Sequence, residues 1–276
     1  MRVPTRAFRL VAQLSDTHIV APGERCIGAV DTAQHLREAV TTILALEPAP
    51  DLVLVTGDLV NDGQAEQYTH LRQLLAPLEM PVRLMCGNHD DRAALRQVFA
   101  DHRYLGEDGT CDYVVDLADP LRIVALDTLV PGRPWGQLEA EQLAWLDRQL
   151  AAAPDRPTLL ALHHPPFVTG IGHMDAMRLD NETCGALADI VARHPQVERV
   201  LAGHLHRSIT RRFAGTVAMT VPSCAHAVAL DLTPHATPGT WNREPPAVAL
   251  HRWSEADGVV THLRAVGAYP ARLFGA

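Results

Sequence analysis

Short apolar runs alternate with amphipathic stretches along the first two thirds of the chain. Phe8 to Leu14 (FRLVAQL), Asp51 to Gly57 (DLVLVTG), Val82 to Cys86 (VRLMC), Thr158 to His163 (TLLALH) and Val197 to Gly203 (VERVLAG) each have the length and composition of a buried strand. Between them apolar residues recur at helical spacing. Leu36, Val40, Ile43 and Leu44 share one predicted face, with Asp31 or Thr32 to cap its start. Tyr68, Leu71, Leu75 and Leu78 share a second, and Leu138, Leu143, Leu146 and Leu150 a third. Cys111 to Leu117 and Leu121 to Asp127, split by Ala118-Asp119-Pro120, predict a hairpin. After Arg207 the texture changes: RRFAGTVAMTV, AVALHRW and VVTHLRAV predict strands with no helices between them.

Strands alternating with helices predict an α/β fold with a mostly parallel sheet. The tail should complete that sheet or add a second. No linker or internal repeat interrupts the pattern, so residues 1–276 are expected to form one domain. Its β-rich C-terminal part starts at about residue 207 and contains an irregular excursion from Thr233 to Pro246.

Composition narrows the chemistry. The formal net charge of −8 disfavours a nucleic-acid partner, which would want a basic stripe. Five scattered cysteines without a C-x-x-C pair argue against a thiolate zinc site and suit a reducing, cytoplasmic setting. No secretory signal and no apolar run of membrane-spanning length is visible, so no membrane association is expected. Fifteen histidines stand out, since histidine is the commonest metal ligand.

Each of the five α/β strands ends in a metal-capable group. These are Asp16-Thr17-His18, Gly57-Asp58, Gly87-Asn88-His89-Asp90, His163-His164 and Gly203-His204-Leu205-His206. Any one of these strings has an ordinary explanation as a turn or a satisfied histidine. Together, each at a strand end, they predict convergence on one ligand site beyond the carboxyl ends of the strands. Mixed oxygen and nitrogen donors suit Fe, Mn, Zn or Co better than Mg or Ca. Two such cations about 3.5–4 Å apart form a clamp for in-line attack on phosphorus. Asp58 suits the bridging position, Asn88 offers a neutral oxygen, and the preceding glycines allow sharp turns that aim the ligands inward.

The set D-x-H, G-D, G-N-H-D, H and G-H-x-H, from Leu14 to His206, resembles the calcineurin-like metallophosphoesterase superfamily. That resemblance implies a four-layer αββα sandwich of two mixed sheets flanked by helices. It also implies Asp16, His18, Asp58 and His206 around one metal, and Asp58, Asn88, His163 and His204 around the other. His89 would hold the phosphate or protonate the leaving alkoxide. LSDTH, GDLVNDG, CGNHDD, HHPP and Pro222-Ser223-Cys224-Ala225-His226 are similar to bacterial class III cyclic-nucleotide phosphodiesterases and related glycerophosphodiesterases. In that group the positions of Asn61 and His226 line the substrate pocket. Protein phosphatases of the superfamily have an arginine after G-D-x-V-D, where this chain has Asn61 then Asp62, and purple acid phosphatases have a tyrosine where Asn61 stands, which disfavours both.

The implied activity is hydrolysis of a small phosphodiester, such as cAMP or a glycerophosphodiester. A hydroxide made available near neutral pH by the two cations would attack in line. A nuclease or broad phosphatase on the same scaffold, or a non-catalytic binding module, are the alternatives. Similar enzymes associate through β-rich tails, so a homodimer or higher homo-oligomer is expected.

Overall fold

The computed structural model describes residues 7–117, 120–233 and 238–274. In chain order the elements are β1 (Arg9–Leu14), α1 (Thr32–Leu44), β2 (Leu52–Thr56), α2 (Ala65–Leu75), β3 (Val82–Met85), α3 (Arg92–Val98), β4 (Tyr113–Asp116) and β5 (Arg122–Leu126). Next come α4 (Ala140–Ala151), β6 (Thr158–Leu162), the single turn α5 (Gly172–Asp175), α6 (Asn181–Arg193) and β7 (Val197–Ala202). The remainder is strand: β8 (Ile209–Phe213), β9 (Thr216–Thr220), β10 (Ala227–Val228), β11 (Trp241–Asn242), β12 (Ala247–Ser254) and β13 (Gly258–Ala265). The predicted hairpin is β4–β5; Ala118 and Asp119 at its tip lie outside the described residues.

These strands form two mixed sheets rather than one. The first has the order β13-β12-β1-β2-β3, the second β4-β5-β6-β7-β9-β8. Side chains alternate across a strand, and the alternation sorts each central strand between two cores. From the first sheet, Val11, Leu52 and Leu54 pack against Ile123, Ala125, Leu159, Ala161 and Leu201 of the second. Their neighbours Ala12, Leu14, Val53 and Val55 turn outward onto Leu36, Val40 and Ile43 of α1 and Tyr68 and Leu71 of α2. Val124, Leu126, Leu160 and Leu162 face Leu146 and Leu150 of α4 and Leu187 and Val191 of α6. The result is the four-layer αββα sandwich.

The helices start where short acceptors precede them. Asp31, Asp91 and Asp180 cap α1, α3 and α6 by accepting from Gln34 N, Ala94 N and Thr183 N. Leu44, expected on the buried face of α1, is 43% exposed. It is the last residue of α1, beside the exposed Ala45 and beyond the face formed by Leu36, Ala39, Val40 and Ile43. Of the strands after Arg207, β12 and β13 extend the first sheet beyond β1, β8 and β9 extend the second beyond β7, and β10 and β11 form a small two-stranded sheet. The excursion from Thr233 to Pro246 includes β11, which pairs antiparallel with β10; residues 234–237 are outside the described set. Among the described residues no helix is long and apolar enough to cross a membrane.

One polar tie runs through the inter-sheet layer. Gln13 Nε2 donates to Thr56 Oγ1 at 2.9 Å and to the Ala202 carbonyl at 3.3 Å, and its Oε1 lies 2.9 Å from His251 Nε2. His251 is fully buried, and burial, with Arg199 nearby, pushes its pKa down to about 3. An unfolded imidazole titrates near 6.5. Below that pH the unfolded chain takes up a proton that the folded one refuses, so stability falls as the solution is acidified. By pH 5 this one group should remove about 2 kcal/mol. Urea unfolding of the His251→Gln variant should show a smaller loss between pH 7 and pH 5 than the wild type; equal losses would show that His251 does not contribute to that slope.

Candidate metal centre

Five loops at the carboxyl ends of β1, β2, β3, β6 and β7 meet at the seam between the sheets. The first two run side by side: Asp16 N donates to Gly57 O, His18 N to Asp58 O, and Thr17 Oγ1 to Leu59 O at 2.6 Å. The third is tied to the second by Asp90. Its carboxylate accepts from Gly87 N, Leu59 N, Val60 N and the Tyr68 hydroxyl. The last loop is tied to the first by Asp16, whose two oxygens each accept from His204 N at 3.0 Å.

Close packing of these loops needs glycine, though mostly not for its conformational freedom. A Cβ on Gly57 would strike the His163 ring, one on Gly87 the Asp58 carboxylate, and one on Gly203 the Ser15 hydroxyl. Of these three only Gly57 has a positive φ. The sharp turns fall on the candidate ligands themselves. Among the described residues seven non-glycine positions have positive φ, and five of them are Asp16, His18, Asp58, His204 and His206. Concentrated strain of this kind marks functional sites.

The donor atoms form two buried groups. Asp16, His18, Asp58 and His206 make the first, and His163, His164 and His204 the second. Asp58 Oδ2 joins them, 3.6 Å from His18 Nε2 and 3.4 Å from His163 Nε2. His206 Nε2 is 3.4 Å from Asp16 Oδ1 and 3.1 Å from His18 Nε2. Backbone carbonyls orient two of the rings. His163 Nδ1 donates to Thr56 O at 2.7 Å and His206 Nδ1 to His226 O at 2.9 Å, which turns both Nε2 atoms toward the centre.

Burial keeps most of these imidazoles neutral: it pushes His204 down to about 3, His206 to about 4 and His18 well below the ordinary range. Burial raises the Asp16 carboxyl to about 7. It also disfavours the Asp58 carboxylate, but the charge and hydrogen bond of His163 hold Asp58 well below the usual range. His163 is raised to about 9 against its own burial by the same pairing.

The donor set fits two cations. His204 Nε2 and Asn88 Oδ1 are buried polar atoms without a hydrogen-bond partner, a costly arrangement unless a ligand satisfies them, and His163 Nε2 faces Asp58 Oδ2 at 3.4 Å. Asp16, His18, Asp58 and His206 can hold one cation, and Asp58, Asn88, His163 and His204 the other, with Asp58 shared.

His89 is exposed at the mouth of the site. Its N donates to Asp58 Oδ1 at 2.9 Å, and its Nδ1 lies 2.8 Å from the Asn61 carbonyl, leaving Nε2 unengaged by that contact. Although burial opposes it, the Asp58 charge and the Asn61 carbonyl raise the His89 pKa. The His226 ring sits 4.5 Å from that of His206, and its Nδ1 is buried without a partner. Asn61 presents its side chain differently from a free amide: Oδ1 accepts from Cys26 Sγ at 3.3 Å and Nδ2 donates to Asp62 Oδ1 at 3.0 Å. Asn61, His89 and His226 all line a cavity of about 280 Å³ above the donor groups.

Two contributors were not singled out from the sequence. His164 is fully buried, 4.7 Å from the His204 ring, with Nδ1 2.8 Å from Thr128 Oγ1 and Nε2 without a partner. The His-His doublet was the available signal, but a strand end does not reveal that both rings turn toward one site. Tyr68 looks in sequence like a core residue of α2; its hydroxyl serves Asp90 and Asp91 N. A third cluster, Cys86, Cys111 and Asp127, is not a comparable metal site. Asp127 is already paired with Arg92 at 2.6 Å, and the hydrogen bond with Cys111, then burial, raise the Cys86 thiol well above its ordinary range. A metal ligand would need the thiolate.

Comparison with known proteins agrees with this geometry. A family model described as calcineurin-like phosphoesterase matches residues 9–208. A probable glycerophosphodiester phosphodiesterase of Arcobacter nitrofigilis is 36% identical over 260 residues, 94% of each chain. A 3',5'-cyclic adenosine monophosphate phosphodiesterase of Pseudomonas aeruginosa is 37% identical over 209 residues, 75% of this chain and 73% of its own. Among solved structures, a dimetal phosphatase from Danio rerio superposes with a TM-score of 0.71 at 17% identity, covering 95% of this chain and 98% of that one, and so shares the fold.

If Asp58 is the shared donor, Asp58→Ala should lose both ions. Elemental analysis of the purified variant, with circular dichroism to confirm folding, checks this; two ions retained per folded chain would exclude the bridging role.

Proposed function

The chain belongs to the calcineurin-like phosphoesterases and is a hydrolase of phosphodiesters; from that premise we propose how its residues divide the work. The supporting observation is Asp58 Oδ2, placed between His18 Nε2 and His163 Nε2 at 3.6 and 3.4 Å. On this reading Asp16, His18, Asp58, Asn88, His163, His204 and His206 hold two cations drawn from Fe, Mn, Zn or Co. Those cations would supply Lewis acidity toward a phosphoryl oxygen and a nucleophile from water near neutral pH. The substrate is a small diester, a 3',5'-cyclic nucleotide or a glycerophosphodiester, the classes named for the relatives in Pseudomonas and Arcobacter.

The chain's own groups then orient the diester and move one proton. His226 and Asn61 border the phosphate's place in the cavity. Asn61 also fixes His89, because its carbonyl engages Nδ1 and directs the opposite edge of the ring toward the cavity. The Asn61 carbonyl at Nδ1 favours the protonated ring that a general acid requires. A proton at Nε2 can pass to the departing alkoxide. No serine or cysteine nucleophile is needed: Ser15 Oγ and Ser223 Oγ are spent on backbone carbonyls, and burial pushes the Cys26 thiol up to about 11.

We further propose that residues 1–276 act as one catalytic domain in the cytoplasm, where five unpaired cysteines are compatible with a reducing setting. Association into a homodimer or higher homo-oligomer would use the tail, where β13 is an open sheet edge and Leu263 is 47% exposed. Light scattering at micromolar concentration should give at least twice the chain mass of 30.1 kDa; a monomeric mass would refute it.

His89→Ala should retain both cations yet lower turnover of an alkyl diester by about 10²–10⁴-fold. The loss should be smaller for an aryl diester, whose leaving group departs without a proton. Equal losses on the two substrates would show His89 binding phosphate instead of donating a proton, and no loss on either would remove it from the site.

A further inference from the structure

The residues lining the cavity over the donor groups are of two unlike kinds. Some are the imidazoles, Asp58 and Asn88; others are apolar, namely Ile27, Pro134, Met174, Met177 and Val228. Among the described residues lining it there is no lysine, arginine or glutamate, and Asp58 is its only carboxylate. Asp58 is turned away from any guest: Oδ1 accepts from His89 N, and Oδ2 stands between two imidazoles. Nor is any lining side chain Trp, Tyr or Phe. A cationic headgroup would therefore find among these lining residues no free anion and no Trp, Tyr or Phe ring.

Ile27 adds a second, independent observation. It is β-branched and 50% exposed, yet holds φ at +48°. Branched side chains almost never adopt this region, and an exposed one recovers nothing by burial. A small ring holds it there. Cys26 N donates to Val30 O and Val30 N to Cys26 O, while Cys26 Sγ bonds Asn61 Oδ1. The effect is to place an apolar side chain at the mouth of the cavity, and strain retained at such a place points to a use. In the same apolar lining Met174 is packed with Ile171 and Leu205, and Met177 remains half-buried. Asp175 braces their turn by accepting from Thr169 N and Gly170 N at 2.7 and 2.9 Å. Methionine is adaptable and makes favourable sulfur contacts with aromatic rings.

We infer that Ile27 and Met177 are specificity-determining residues that receive an uncharged planar substituent of the diester, in preference to a cationic or polyol one. This rests on the phosphodiesterase reading above. A nucleobase and a synthetic aryl group share the required chemistry.

The test compares kcat/KM for cyclic AMP, bis(p-nitrophenyl) phosphate and glycerophosphoethanolamine in the metal-replete wild type, Ile27→Gly and Met177→Gln. Glycine removes the side chain and relieves the positive φ; glutamine keeps the volume of methionine and makes it polar. In each variant the preference for cyclic AMP over glycerophosphoethanolamine should fall about 10-fold, the scale of a lost apolar contact in a pocket. A parallel fall for the aryl diester assigns the apolar lining to planar groups in general; a fall for cyclic AMP alone assigns it to nucleobases. An unchanged preference in both variants overturns the inference. Failure of the wild type to hydrolyse any of the three would instead defeat the phosphodiesterase reading.

Discussion

Two carboxylates buried beside a ring of imidazoles are the arrangement on which the rest of this structure turns. Asp16 is fully buried and Asp58 2% exposed. Burial alone would protonate them. Charge from His163 keeps Asp58 ionised in the protein alone, and cations would do the same for the whole group. Holding such a set requires loops that approach more closely than side chains normally permit. Hence glycines whose absent Cβ makes room, ligands that themselves accept a left-handed backbone, and carbonyls from Thr56 and His226 that fix ring orientation. The two stacked sheets provide rigid ends from which these loops start.

Much of this was legible in the chain. An apolar run that stops at a metal-capable group reveals both a strand and its functional end, and all five such runs are strands in the structure. What was not legible depends on contacts distant in sequence. Assignment of the tail to two sheets follows from pairings such as Ala12 with Leu250 and Leu201 with Met219, which no local pattern encodes. Leu44 fits the apolar period but falls at a helix end outside the covered face. The glycines were expected to serve turns, whereas Gly87 and Gly203 serve clearance. His164 and Tyr68 were invisible as contributors because a buried histidine or tyrosine looks the same in sequence whatever it supports.

The site thus separates two tasks. Metal-capable side chains come from sheet-anchored loops, with little freedom to change. The apolar lining residues come in part from the turn around residues 26–30 and the segment around α5, whose conformations depend on local bonds such as Cys26 with Val30 and Asp175 with Thr169. Loops positioned by a rigid scaffold are where selectivity varies with least cost to the fold. The acidic net charge is compatible with the same division, because positive charge to attract a phosphate would be supplied locally by cations held in the donor set.

The position of β12 has a consequence for biosynthesis. β1 lies between β2 and β12, and Gln13, next to the first ligand loop, bonds to His251. The strand that carries the earliest ligands therefore lacks its neighbour until residues 247–254 have left the ribosome. Asp16 likewise waits for the His204 amide. A chain translated only through β3 lacks His163, His204 and His206 and so cannot assemble the donor set. The group that Asp58 joins is complete only once segments 188 residues apart, those of Asp16 and His204, have met.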